Sequence, residues 1–219
     1  MSVPIVASMG CSFEKTLDLQ KNRQLRTDER RYHKLSEQMK GDAKWEGKNS
    51  AMGREKNLRV LGPLGISALG KISIGQNVTI VSDSRFNRAG INHPTQLVAG
   101  SGAELIIGDD TGISGASIYA MERIKIGNHV LIGANCHIYD TDFHPMDWKQ
   151  RRSSGPPATA SVNIEDDVWL AANVTVLKGV TIGARSVIAG GSIVTHDIPT
   201  DVLAGWIPAV VIKSLSSDN

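Results

Sequence analysis

The chain is poor in several things that define large protein classes. Its two cysteines, Cys11 and Cys136, are too few for a disulfide framework. That scarcity favours a reducing, cytoplasmic setting. No apolar run approaches the roughly 20 residues a membrane-spanning helix needs. The N-terminus, MSVPIVASMGCSF, has no basic region ahead of a strong apolar stretch, which argues against a cleaved leader. Charge is nearly balanced at net +2, so there is no electrostatic footprint for nucleic acid. The remainder, 41% hydrophobic over 219 residues, suits one domain with a sizeable core.

What is present is a period. Residues 164–199 divide into six blocks of six, opening on Ile164, Leu170, Val176, Ile182, Ile188 and Val194. The fifth place holds Val168, Val174, Val180, Ser186, Ser192 and Ile198. The fourth holds Asp167, Asn173, Gly179, Arg185, Gly191 and Asp197. Asn, Asp and Gly tolerate a left-handed backbone at a sharp corner, and Arg185 fits poorly. Each block therefore reads as a short strand and a corner with one side chain returning inward. Three such blocks make one triangular turn of a solenoid. The same phase starts at Ile74 and Ile80, at Ile107 and Ile113, and at Ile126 and Ile132. An ordinary strand-rich domain would alternate at period two and fix no corner residue. The expected fold class is mainly β, a parallel β-helix of hexapeptide repeats.

In chain order, residues 14–44 are charged, with Leu17, Leu25, Tyr32, Leu35 and Met39 at helical spacing. Residues 41–57 read as linker. The segment 1–57 is thus a helical cap over the open end of the solenoid, or a helix that binds a partner. The solenoid spans 58–213, starting near Leu58, with its first full hexad at Ile74. The phase breaks at 85–105, slips by one around 119–125, and breaks again at 139–163. Pro145, Pro156 and Pro157 forbid regular strand pairing in that second insertion. Long insertions in a regular scaffold are usually functional or disordered. Pro199, Gly205 and Pro208 give a turn-rich exit, and Val210–Leu215 a last strand or short helix.

Chemistry concentrates in the second insertion. Asp140, Asp142 and His144 alternate, and an extended chain would point all three to one side. A histidine beside a carboxylate is a general base with an orienting partner. The same three could hold zinc or iron. The acids could equally cap the loop, with His144 a plain surface residue. Cys136 fills an inward seat, where a buried thiol is inert. Trp169 faces out from the wall, as an interface residue or a ligand platform. Beside it Ala171, Ala172, Ala189, Gly190 and Gly191 make a wall low enough for something thin to lie against, or for another subunit to approach.

At these residues the chain resembles the hexapeptide-repeat acyltransferases, the group of galactoside, maltose and capsular-polysaccharide O-acetyltransferases. The segments that carry the likeness are IGANCHIYDTDFHP, DDVW, VTIG, SVIAGGSIVT, DIP and AGWIPAVVIK, within about 74–213. GINHP and GISGASIY look like a subgroup that modifies surface sugars. The resemblance implies a left-handed helix, an exception to the usual right-handed crossover. It implies a homotrimer with sites between adjacent subunits and acetyl-CoA or another acyl-CoA as co-substrate; no permanently bound cofactor or metal is expected. The acceptor would be a small sugar, a nucleotide-sugar or a polysaccharide. His144 matches the catalytic base and Trp169 the residue beside the pantetheine arm. Ala171 or Ala172 and Gly190 line that arm, with a backbone N–H on the thioester oxygen. Thr195 and His196 match a Thr-Lys pair near the nucleotide phosphates, with histidine in place of lysine. Val210 stands where the family has a basic residue, so Lys178, Arg185 or Lys213 would supply phosphate contacts. Asn92, His93, Ser114 and Asp142 are the acceptor-side candidates. With no activated Cys or Ser in view, attack on the thioester is direct.

Two rival readings remain. One is a non-catalytic scaffold or sugar-binding solenoid. The other is a metal hydratase similar to gamma-type carbonic anhydrases, which have two histidines five apart and a third upstream. Here His137 and His144 are seven apart, and His93 and His129 do not complete that pattern.

Overall fold

A computed structural model describes residues 57–215. The helices expected within 1–57 lie outside the described residues. From Arg59 onward the chain winds as a left-handed parallel β-helix. Strands fall on three walls in rotation. The first coil is β1 (Arg59–Leu61), β2 (Leu64–Ala68) and β3 (Lys71–Ile74); the second is β4 (Thr79–Val81), β5 (Thr95–Ala99) and β6 (Glu104–Ile107). The third is β7 (Gly112–Ser114), β8 (Ser117–Ala120) and β9 (Arg123–Ile126). The fourth is β10 (Leu131–Ile132), β11 (His137–Tyr139) and β12 (Val162–Ile164). Coil five is β13 (Trp169–Leu170), β14 (Thr175–Val176) and β15 (Thr181–Ile182). Coil six has β16 (Val187–Ile188) and β17 (Ile193–Val194), and Ile198 bridges to Ile182 on its third side.

The register stacks like on like. On the first wall Ile80, Ile113, Ile132, Leu170 and Ile188 lie side by side on successive coils. On the second the column is Leu97, Ile118, Ile138, Val176 and Val194. On the third it is Ile74, Ile107, Ile126, Ile164 and Ile182. All are buried, and each such side chain contributes about 1.5–3 kcal/mol by leaving water. The fifth-place residues Val78, Val130, Cys136, Val168, Val174 and Val180 fill the corners from inside.

The corner residues bear out the period. Asn77, Asp110, His129, Asn135, Asp167, Asn173, Gly179 and Gly191 all have left-handed φ. Arg185 takes the same conformation, φ +60°, although its side chain gives no intrinsic help. Its guanidinium makes two 2.6 Å bonds to Asp201 on the next coil, and Asp201 is itself at φ +56°. Asp197 departs from expectation. It is not left-handed; its carboxylate instead accepts the Thr181 N–H at 2.7 Å. One corner is also laced by side chains: Asp109 accepts from Gln76 N, Asn128 from Asp109 N, and Asp166 from Asn128 N.

The phase breaks are narrower than the sequence implies. Only 82–94 leaves the wall in the first insertion, because β5 and β6 are full members of coil two. The turn between them, Gly100–Ala103, is long, which shifts the phase without breaking the wall. The second insertion, 140–161, holds a five-residue helix that the prolines had hidden, α1 (Trp148–Arg152), capped by the Asp147 carboxylate. β18 (Val202–Gly205) continues the first wall, and β19 (Val210–Ser214) closes it as an antiparallel strand.

Candidate active site

The two insertions flank the second wall. The first leaves between β4 and β5 and the second between β11 and β12, so the outward face of β8 and β11 lies between them. The first insertion is pinned by asparagine. Asn135 donates to Gly90 O at 2.8 Å and accepts from Asn92 N at 3.0 Å, while Asn87 donates to the Ser114 hydroxyl at 3.1 Å. Ser114, Asn92 and His93 are thus brought together, with the Ser114 hydroxyl occupied by the loop itself.

The second insertion is a flap with a fixed neck. Thr141 bridges Thr159, Ala160 N donates to Asp140 O, and Asp142 N donates to Ala158 O. Asp140 is fully buried, and its carboxylate accepts the Met121 and Glu122 N–H groups at 2.7 and 2.8 Å. Those amides belong to the turn where the phase slips. Asp140→Ala leaves two donors without partners and should lower Tm by roughly 5–10 °C. Thermal denaturation checks this, and an unchanged Tm would show that the turn holds without the carboxylate.

The three alternating residues do not share a side. Asp140 points in, Asp142 pairs with Lys178 Nζ at 2.8 Å, and His144 is exposed. Phe143 breaks the extended run with φ +61°. The Asp142–His144 orienting pair is therefore not formed, and Asp140 is not available as a metal ligand. Among the described residues no three His, Cys, Asp or Glu side chains are grouped to hold a metal ion. Cys136 is buried, and burial pushes its thiol up to about 11, which keeps it unreactive.

A row of rings crosses the second wall from one insertion to the other. His93 lies 5.9 Å from His137, His137 5.7 Å from Tyr139, and Tyr139 5.1 Å from Phe143. Tyr119, beside Tyr139 on the preceding coil, meets Phe143 at 5.0 Å. Burial, with the nearby His93, lowers the His137 pKa, and burial raises that of Tyr139. The sequence carried a signal for this row in the alternation of His137 and Tyr139 on one strand, which puts both outside.

Trp169 projects from the first wall, 48% exposed, beside Leu131 on β10. Trp169 thus belongs to the first wall, whereas His144 belongs to the flap that leaves the second wall after β11. The Ala171 N–H is committed to Ile188 O, which removes it as a donor to any ligand. By contrast, the Ala172 and Gly190 N–H groups make no hydrogen bond among the described residues. Thr195 and His196 bond each other at 2.7 Å. Of the three cations offered for phosphate, Lys178 is held by Asp142 and Arg185 by Asp201. Lys213, on β19, has no ion-pair partner among the described residues.

Family models place these walls. Residues 161–196 match a bacterial transferase hexapeptide of six repeats, and 123–138 match a hexapeptide repeat of succinyl-transferase. In sequence it is 44% identical to a galactoside O-acetyltransferase of Lactococcus lactis over 96 residues, 44% of this chain and 45% of that protein. The chain spans about half the length of the curated relatives it matches. In structure it is similar to a hexapeptide-repeat acetyltransferase of Vibrio cholerae, with 29% identity, TM-score 0.51, and coverage of 74% of this chain and 73% of that one. It is also similar to the polySia-specific acetyltransferase NeuO, with 26% identity, TM-score 0.50, and coverage of 77% and 68%. The likeness to hexapeptide-repeat acyltransferases read from the motifs is thus present in both sequence and fold. No helix among the described residues is long and apolar enough to cross a membrane.

Proposed function

We propose that this chain transfers an acyl group, most simply acetyl, from acyl-CoA to a hydroxyl or amine of a sugar. The observation that carries this is the His144 imidazole. It is exposed, makes no hydrogen bond among the described residues, and is held on a flap whose neck is fixed. A neutral imidazole so presented accepts the acceptor's proton as oxygen or nitrogen attacks the thioester carbonyl. The carbonyl oxygen becomes an oxyanion, then re-forms as the CoA thiolate leaves, and the imidazolium returns the proton to sulfur. Free N–H groups at Ala172 and Gly190 suit the pantetheine arm and the oxyanion. Lys213 suits a phosphate.

In this reading the complete site joins two copies in a homotrimer, with Trp169 on the first wall of one and His144 on the flap of the other. Asn92, His93, Ser114 and Asp142 remain the acceptor side, with Asp142 steadied by Lys178. The names of the relatives favour sugars as acceptors, and a surface polysaccharide is the finer reading. Acetyl-CoA offered with a panel of sugars and amino sugars should release free thiol only when the right acceptor is present. CoA at a hundred times its Kd should add about 2.7 kcal/mol of stability. Neither thiol release nor a shift in Tm with CoA would leave a scaffold as the better reading.

A further inference from the structure

Position 143 has an aromatic side chain in a conformation that glycine or asparagine adopts far more readily. Phe143 sits at φ +61°, and a bulky residue there is a true outlier that its surroundings must hold in place. The backbone on either side is closed into a tight turn. Phe143 N donates to the Thr141 hydroxyl at 3.1 Å, and His144 N donates to Asp142 O at 2.7 Å. Pro145, the next residue, is buried.

The Phe143 ring is held from two sides. Tyr119 meets it at 5.0 Å and 64°, Tyr139 at 5.1 Å and 80°, both edge to face. Edge-to-face pairs attract beyond simple burial. These are the two tyrosines among the described residues, in a chain with only three tyrosines and three phenylalanines. They stand on adjacent coils of the rigid wall, directly abreast. The wall thereby grips the flap at the residue before His144.

We infer that Phe143 is a positioning residue for His144, with Tyr119 and Tyr139 as its seat: their rings hold the left-handed turn that projects the imidazole. This rests on the reading of His144 as the general base. Losing the ring lets position 143 relax toward φ below zero. That rotates the following residue without touching Ala172, Gly190 or Lys213.

The test compares Phe143→Leu, Phe143→Tyr and Tyr139→Leu with His144→Ala in the full chain. Phe143→Leu should lower kcat about tenfold or more and leave KM for acetyl-CoA within about twofold. Phe143→Tyr should stay near wild type, because it keeps the ring. Tyr139→Leu should lower kcat in the same way, and adding it to Phe143→Leu should cost little more, as expected for groups acting as one unit. Wild-type kcat in Phe143→Leu alongside an inactive His144→Ala overturns the inference and spares the base. Full activity in His144→Ala overturns the base itself. Crystal structures supply a reading that needs no turnover. Residue 143 should leave the left-handed region in Phe143→Leu and remain there in Phe143→Tyr. A leucine still near φ +61° with the imidazole in place overturns the inference whatever the kinetics.

Discussion

His144→Ala is expected to lower kcat by about a hundredfold or more while the folded state is untouched. The imidazole is exposed and makes no hydrogen bond among the described residues, so its loss breaks no contact that supports the wall. Tm, oligomeric size by gel filtration and KM for acetyl-CoA should therefore match wild type. Proton removal is a transition-state event, so the loss belongs in kcat and equally in kcat/KM. A variant with undiminished turnover would take His144 out of the chemistry and return the flap to a structural role.

The second large effect is expected from Ala172→Pro. The Ala172 N–H joins no ladder, and its φ is not in the left-handed region. Proline there removes one donor without breaking a backbone hydrogen bond of the coil. Loss of an oxyanion donor costs about a hundredfold in kcat in well-studied cases, and a loss of that order is expected here. The companion change Ala171→Pro should instead unfold the coil locally, since the Ala171 N–H is bonded to Ile188 O. Circular dichroism and Tm separate the two outcomes. If Ala172→Pro is well folded and fully active, the thioester oxygen is stabilised elsewhere.

The walls were legible because one side chain per hexad is buried in each of two fixed seats, and burial leaves a trace in every repeat. Ile164, Leu170 and Val176 could be assigned inward from spacing alone. Arg185 shows the limit at corners: composition argues against the left-handed turn, yet the stacked Asp201 secures it through a partner sixteen residues on. The insertions were legible as interruptions and little else. The pairing of Asp142 with Lys178 links residues thirty-six apart through the rise of one coil, and no local pattern encodes it. The left-handed Phe143 was hidden for the same reason. Its conformation is selected by two rings on the wall, whereas a preference of phenylalanine would have favoured an extended run through Asp140, Asp142 and His144. Ala171 and Ala172 were interchangeable in sequence, and only the ladder distinguishes the bonded amide from the free one.

Interchangeable storeys leave height as the free variable of such a tower. Leu170 lies beside Ile188, so excising 170–187 would join Trp169 to Ile188 with every seat still filled. The shortened tower would stand, yet the flap would lie one storey, about 4.8 Å, closer to the closing hairpin that carries Lys213. The span between flap and hairpin is therefore set in whole storeys. A ligand that reaches from one to the other is measured against that count, and finer adjustment has to come from the flap.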